Sequence, residues 1–90
     1  MIQSFADRET RTVFLAGKSR RFNEIARAAA RRLQAWDFAS SIEDFRNSPG
    51  NRLEKMKGDR KGQWNIRINA RFRICFRWDG KDVRDAEIVD

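Results

Sequence analysis

A chain of 90 residues with 40% hydrophobic side chains can build one small domain around a single core, which excludes a two-domain protein and argues against disorder. The sequence holds no histidine and one cysteine, which excludes a zinc site, an internal disulfide and a nucleophile activated by an imidazole. The formal net charge of +7, from 20 Lys and Arg against 13 Asp and Glu, predicts an anionic partner, while no apolar run is long enough to cross a membrane.

The start of the sequence predicts a short strand followed by a helix. Residues 2–5 are apolar enough for a first strand of the sheet. A helix is predicted over residues 8–16, because Asp7 is a favoured N-cap residue and Gly17 suits the position just after a last helical turn.

A second helix is predicted over residues 20–38, because apolar residues recur there at intervals of three or four. These apolar residues are Phe22, Ile25, Ala29, Leu33 and Trp36. Ser40 and Glu43 then have the spacing of a capping box, which predicts a short helical turn over residues 42–45.

The second half of the chain is predicted to be a series of strands joined by turns. NSPGNR, residues 47–52, is a turn by composition, and GDRKG, residues 58–62, is typical of a hairpin loop. Residues 82–89 have the apolar content of a last strand. The lone Cys75 falls inside one of the strands and is interpreted as a small packing residue.

The stretch WNIRINARFRICFRW, residues 64–78, alternates large apolar side chains with polar ones, which is typical of two strands with one buried face. A loop at residues 69–71 would pair every apolar residue with another apolar residue. The same register places Arg67 opposite Arg73, with Arg77 on the same face. Like charges that oppose each other are unfavourable, so these arginines either bind an anion or are neutralised by solvent and nearby acids.

These elements predict an α+β fold in which helices cover one face of a mainly antiparallel sheet and leave the other face charged. Residues 51–78 carry 9 basic and 2 acidic side chains, so the positive charge is concentrated there. Arginines and a lysine on one face can neutralise the charge that builds on a phosphate during in-line attack. In RNA the nucleophile is the neighbouring 2′-hydroxyl, and a lysine or a carboxylate such as Glu54 or Asp90 could move the proton.

The chain also resembles a known family. The run MKGDRKGQW at residues 56–64 and the strand FRICFRW at residues 72–78, with MIQSF at the start and EIVD at the end, are similar to HigB-type toxins of the RelE-like superfamily. The resemblance covers nearly the whole chain. It implies a single RelE-like domain over residues 1–90, with two N-terminal helices on one face of a four- to five-stranded sheet and a C-terminus shortened relative to the family.

The resemblance implies a function as well. The expected activity is that of a cytoplasmic, ribosome-dependent endoribonuclease that cuts mRNA without a metal or other cofactor and inhibits translation. The expected partners are the ribosome, mRNA and a HigA-type helix-turn-helix antitoxin, which neutralises the toxin and connects it indirectly to operator DNA. No membrane partner is expected.

Carried over residue by residue, the family's catalytic lysine and strand arginine fall on Lys57 and Arg73, and its terminal acidic residue falls on Asp90. Glu54 stands where some members have histidine, and the Tyr-His pair that commonly follows the acidic residue is not in this sequence. The other residues expected to bind RNA or its phosphates are Lys55, Arg60, Lys61, Arg67, Arg77 and Glu54.

Two alternatives from other functional classes remain open. ParE-like members of the same superfamily inhibit gyrase by binding a protein, and a noncatalytic nucleic-acid-binding module would also explain the basic charge. Lys57 and Arg73 favour the nuclease, since both residues are expected in the nucleases of the superfamily.

Overall fold

Three helices precede four strands in residues 1–46 and 52–90, the parts of the chain that this computed structural model describes. The helices are α1 (Arg8–Ala16), α2 (Ala26–Trp36) and α3 (Glu43–Arg46), and the strands are β1 (Glu54–Lys55), β2 (Trp64–Arg67), β3 (Arg73–Trp78) and β4 (Val83–Val89). A short 3₁₀ turn, Gly58–Arg60, lies between β1 and β2. The strands form one antiparallel sheet in chain order, which confirms the predicted α+β class.

Helix α1 has the predicted bounds and the predicted caps. The Asp7 carboxylate accepts a hydrogen bond from the backbone N–H of Thr10 at 2.8 Å. Gly17 adopts a left-handed conformation with φ 68°, and its N–H donates to the carbonyl of Val13 at 2.9 Å. The two ends of the helix are therefore specified by local residues that the sequence displays.

Helix α2 is shorter than predicted, because residues 21–25 form turns before the helix begins at Ala26. The Ser19 hydroxyl accepts a hydrogen bond from the N–H of Phe22 at 3.1 Å and stabilises these turns. Phe22 and Ile25 are nevertheless buried in the core. The apolar spacing thus predicted which side chains are buried, but the predicted helical conformation of residues 20–25 was wrong.

The capping arrangement at α3 also differs from the prediction. The carboxylate of Asp44, rather than that of Glu43, accepts hydrogen bonds from the backbone N–H groups of Ser40 at 2.8 Å and Ser41 at 3.1 Å. These bonds stabilise the ionised carboxylate and lower the pKa of Asp44. The predicted turn over residues 47–52 falls mostly outside the described residues.

The register predicted for the β2–β3 hairpin is confirmed. The observed pairs are Trp64 with Phe76, Asn65 with Cys75, Ile66 with Ile74, and Arg67 with Arg73. In the connecting loop the side-chain oxygen of Asn69 accepts hydrogen bonds from the N–H groups of Arg71 and Phe72, both at 2.8 Å. The loop is therefore residues 69–71, as the apolar alternation indicated.

The N-terminal segment is not a full strand. Ile2 and Phe5 make isolated parallel bridges to Val83 and Ala86, so residues 2–5 follow the outer edge of β4. The pairing of β3 with β4 contains a bulge, since two residues of β4, including Asp85 with φ 54°, face one residue of β3. The sheet therefore has four strands, and one edge is covered by the start of the chain.

The core lies between the helices and one face of the sheet. Aromatic rings pack together in this core: the Trp36 ring lies 5.0 Å from Phe45 and 4.7 Å from Phe76, and Phe45 lies 5.5 Å from Trp78, measured between ring centroids. In the described residues no helix has the length and apolar character needed to cross a membrane. The helices cover one face only, so the other sheet face is available for a site.

Candidate nucleic-acid interface

A row of four side chains crosses the sheet on the face opposite the helices. The register places Glu54, Asn65, Cys75 and Glu87 side by side, one from each strand. Cys75 and Asn65 are only 0% and 2% exposed, even though none of the helices in the described residues covers this face. Burial raises the pKa of the Cys75 thiol, which agrees with its interpretation as a packing residue.

Arg73 lies beside this row and is held by it. Its Nη1 donates a hydrogen bond to Asn65 Oδ1 at 2.9 Å and lies 3.9 Å from a carboxylate oxygen of Glu54. The side chain remains 45% exposed, so part of the guanidinium faces solvent. Since a guanidinium has five N–H donors in a fixed plane, Arg73 can bind an incoming phosphate without giving up Asn65.

Arg67 opposes Arg73 in the register, and the two like charges have different partners. Arg67 Nε donates to the backbone carbonyl of Asn69 at 3.1 Å, so its guanidinium is oriented by the loop rather than by an acid. Arg73 therefore has an acid nearby, whereas Arg67 is oriented by a backbone carbonyl. Among the described residues, no acidic side chain forms an ion pair with Arg67.

Arg77 lies on β3, the strand that also carries Arg73, next to the loop that leads into β2. Its Nε is 3.5 Å from Asp85, the residue in the bulge of β4. A Cβ atom added to Gly62 would lie 3.1 Å from Arg77 Nη1, so the guanidinium packs closely over the backbone of Gly62. Gly62 also has φ 94°, a conformation that favours glycine.

Arg60 has an internal role that the sequence did not indicate. From the 3₁₀ turn, its Nη1 donates to Glu87 on β4 at 3.0 Å and to the side chain of Gln63 at 3.2 Å. This hydrogen bond to the Glu87 carboxylate raises the pKa of Arg60 above its ordinary value. Arg60 therefore joins the loop after Lys57 to strand β4.

The three lysines of the predicted site lie around one cleft of about 520 Å³ at the β1–β2 end of the sheet. Its lining residues are Lys55, Met56, Lys57, Lys61, Gly62, Gln63 and Trp64. Lys57 is exposed and immediately precedes the 3₁₀ turn. The Lys55 ammonium lies 5.1 Å from the centroid of the Trp64 ring.

This cleft and the arginine face share a border. Met56 lines the cleft, and its sulfur accepts a hydrogen bond from the Asn65 side chain at 2.7 Å. Gly62 lines the cleft as well and contacts Arg77. The lysines and the arginines therefore form adjoining parts of one basic surface.

Asp90 is not joined to this surface. Its carboxylate pairs with Arg71 at 2.7 Å, and this hydrogen-bonded ion pair lowers the pKa of Asp90. Val89 is the register partner of Arg73, so alternation directs the next side chain, Asp90, toward the opposite face. Of the two carboxylates predicted for the site, the structure brings Glu54 to Arg73 and leaves Asp90 with Arg71.

The sequence pattern did not indicate the polar residues that hold the arginines. Asn65 could have been found, because the predicted hairpin register already places it beside Arg73. Glu87 and Asp85 could not, since the bulge in β4 changes which residues face Cys75 and Arg77. Gln63 contacts Arg60 only because of the 3₁₀ turn that precedes it.

Comparison with known proteins places the chain in a family. The family described as RelE-like toxin of type II toxin-antitoxin system HigB matches residues 3–90. Toxin HigB-1 of Vibrio cholerae serotype O1 is 39% identical over 56 residues, which are 62% of this chain and 59% of that protein. Endoribonuclease HigB of Proteus vulgaris is 40% identical over 52 residues, which are 58% of this chain and 55% of that protein. The matched segments thus span little more than half the length of these two relatives. Because the family match extends over nearly the whole sequence, this chain belongs to the HigB-like, RelE-like toxins of type II toxin-antitoxin systems.

Proposed function

We propose that this chain is an endoribonuclease toxin that cuts mRNA on the ribosome. The observation that carries the proposal is the half-exposed Arg73 guanidinium, oriented by Asn65 and Glu54 and bordered by a cleft with three lysines. A basic surface of this kind suits a single-stranded RNA backbone. A relative from Proteus vulgaris is named an endoribonuclease, which supports the same activity.

The chemistry requires charge neutralisation and proton transfer. In our proposal Arg73 and Arg67 bind the scissile phosphate and stabilise the charge that develops when the 2′-hydroxyl attacks it. Lys57 contributes positive charge at the edge of the cleft and is a candidate donor to the leaving oxygen. Glu54 is the carboxylate beside Arg73, which makes it the first candidate for the base that takes the 2′-hydroxyl proton.

Asp90 is the second candidate for the base. Its pairing with Arg71 and its lowered pKa make it a weaker proton acceptor than an unpaired carboxylate. A comparison of Glu54→Gln with Asp90→Asn separates the two: the substitution of the base should lower the cleavage rate by about 10²- to 10⁴-fold. Wild-type cleavage rates in both variants would show that neither carboxylate is the base.

Membership of a type II toxin family implies an antitoxin partner. We propose that this antitoxin is of the HigA type and that it connects the toxin to operator DNA. Ribosome and mRNA are the proposed targets, and their location makes the cytoplasm the proposed site of action.

The test is primer extension on translating ribosomes incubated with the purified chain. Wild-type protein should produce cuts within the translated message, whereas Lys57→Ala and Arg73→Ala should produce few or none. Lys81→Ala is the matched control, because Lys81 is also an exposed cation but lies in the β3–β4 turn, away from the cleft. Folding of each variant is checked by circular dichroism.

Three results would contradict the proposal. Cleavage by both variants at the wild-type rate would show that these residues are not catalytic. Ribosome binding without cleavage by the wild type would indicate a noncatalytic RNA-binding protein. Inhibition of gyrase in a supercoiling assay, with intact mRNA, would indicate the ParE-like activity.

A further inference from the structure

We propose that the cleft lined by the three lysines is a nucleobase-binding subsite, in which Trp64 stacks on one base of the RNA whose backbone the arginines bind. The ligand is single-stranded RNA, so this inference rests on the proposed function and adds a specific contact to it. The subsite would hold a base, while the arginine face holds the backbone.

The Trp64 ring supports this inference because of what covers it. Trp64 is half-buried at the start of β2, where Phe76 is its cross-strand partner. The ammonium of Lys55 lies over the ring at 5.1 Å, and Lys55 itself is exposed. A surface cation–π contact strengthens an association by only about 2- to 5-fold, whereas stacking of a base on an aromatic ring is worth about 5- to 150-fold. A base can therefore replace the ammonium, and the released lysine is then free to approach the RNA backbone.

The size and composition of the cleft suit a nucleotide. Its volume of about 520 Å³ is within the range of about 300 to 1,000 Å³ found for small-molecule sites. Met56 adds an apolar wall, and the amide of Gln63 can hydrogen-bond the edge of a base. Lys57 and Lys61 place positive charge at the rim, where a phosphate would lie.

The position of the cleft connects it to the proposed catalytic surface. Gly62 forms part of its wall and contacts Arg77, and Met56 contacts Asn65, which orients Arg73. Trp64 pairs with Phe76 and so lies on the helix-side face of the sheet, whereas Arg73 lies on the other face, and an RNA strand bound by both must therefore pass around the β1 edge. Flexible lysines alone would bind only the backbone, whereas Trp64 gives the surface a contact to a base.

Trp78 provides a matched control for the alternative that Trp64 serves only to pack the core. Both rings are half-buried and pack against the edge of the same core. Trp78 contacts Phe45, with ring centroids 5.5 Å apart, and it does not line the lysine cleft. Loss of either ring should cost comparable stability, but only loss of Trp64 should affect RNA.

The experiment measures binding of a fluorescently labelled, 2′-O-methylated hexaribonucleotide, which cannot be cut, by anisotropy at low salt. Trp64→Leu should weaken binding by about 5- to 150-fold. Trp64→Phe and Trp78→Leu should both bind with an affinity close to that of the wild type. A hexanucleotide of abasic residues should bind wild type and Trp64→Leu equally, because it offers nothing to stack. If Trp64→Leu does not fold, the comparison of abasic with normal RNA on the wild-type protein decides the question.

Equal affinity of wild type for normal and abasic RNA, or of Trp64→Leu and wild type for normal RNA, would overturn the subsite. The proposed function is tested separately by cleavage on ribosomes. A wild-type chain that cuts mRNA but shows no dependence on bases at Trp64 retains the function and loses the subsite. One that binds bases through Trp64 and does not cut retains the subsite and loses the function.

Discussion

Replacing Arg60 tests whether this residue contacts RNA, as the sequence indicated, or holds the site together, as the structure indicates. Arg60 and Glu87 are 34% and 29% exposed, and the atoms that pair lie 3.0 Å apart. Exposed ion pairs contribute about 0.2 to 1 kcal/mol and hydrogen bonds to charged groups about 1.5 to 3 kcal/mol. Both side chains are about one-third exposed, so solvent screens the pair. We therefore expect a coupling free energy in the lower of these two ranges, at about 1 kcal/mol.

The assay is a double-mutant cycle by urea denaturation, with Arg60→Met, Glu87→Gln and the double variant. Arg60→Met should lower the free energy of unfolding by about 1 to 2 kcal/mol, since it also removes the hydrogen bond to Gln63. The control is the pair Arg46 and Glu43, which are 53% and 60% exposed with atoms 3.7 Å apart. Its coupling should be close to zero.

The cycle has an outcome that would refute the reasoning. Coupling between Arg60 and Glu87 below about 0.3 kcal/mol is within the error of additivity and would mean that the contact contributes nothing measurable. If, in addition, Arg60→Met flattened the salt dependence of RNA binding while stability was unchanged, Arg60 would be a phosphate contact. In our interpretation Arg60→Met instead lowers the cleavage rate by displacing Lys57, and the exchanged pair Arg60→Glu with Glu87→Arg restores part of the stability.

Three further predictions concern the acid limit of stability, a buried hydrogen bond and the RNA surface. The N–H group of Asp82, the Arg84 side chain and the N–H group of Lys81 lower the pKa of Asp79 to about 2. The ionised Asp79 therefore stabilises the fold fully above its pKa in the unfolded chain, about 3.9, and this stabilisation is lost as the pH falls to about 2. Asp79→Asn should therefore flatten the fall in Tm between pH 4 and pH 2, and an unchanged fall would contradict this assignment. The buried N–H of Ile88 donates to the Thr10 hydroxyl at 3.0 Å, and Thr10→Val removes this acceptor. The substitution should lower the free energy of unfolding in urea by about 1 to 3 kcal/mol and speed the hydrogen exchange of the Ile88 amide. An unchanged free energy would mean that another acceptor replaces the hydroxyl. Arg67→Ala should reduce the slope of log affinity for ribosomes against log salt by about 0.7, and an unchanged slope would show that Arg67 is only solvated.

Several features of the fold could be predicted because local residues specify them. The caps of α1 directly flank the helix in the sequence, and the β2–β3 register follows from an alternation in which a shift by one residue would expose every apolar side chain. The start of α2 could not be predicted in the same way, because Phe22 and Ile25 keep helical spacing while residues 21–25 form turns. The apolar spacing of these two residues reflects their burial in the core and does not reflect a helical backbone.

The site was predictable in its charges and not in its contacts. Alternation placed Arg67 and Arg73 on one face, and the structure confirms that placement. The contact of Arg60 with Glu87 joins residues 27 positions apart, and it depends on a bulge at Asp85 that no local residue signals. The sequence therefore predicts which cations lie in the region, but only the folded chain shows which of them are already neutralised.

The attachment of the N-terminal segment to β4 has a consequence for folding during synthesis. Ser4 and Asp85 hydrogen-bond to each other although they are 81 residues apart in the chain. At a translation rate of about 5 to 20 residues per second, about 4 to 16 s separate the synthesis of these two residues. Through that interval residues 2–5 lack the strand that they pair with, and the edge of β4 cannot be covered until that strand has left the exit tunnel. The helices of the nascent chain can form early, but the sheet that carries the basic surface is completed only after β4 has been synthesised.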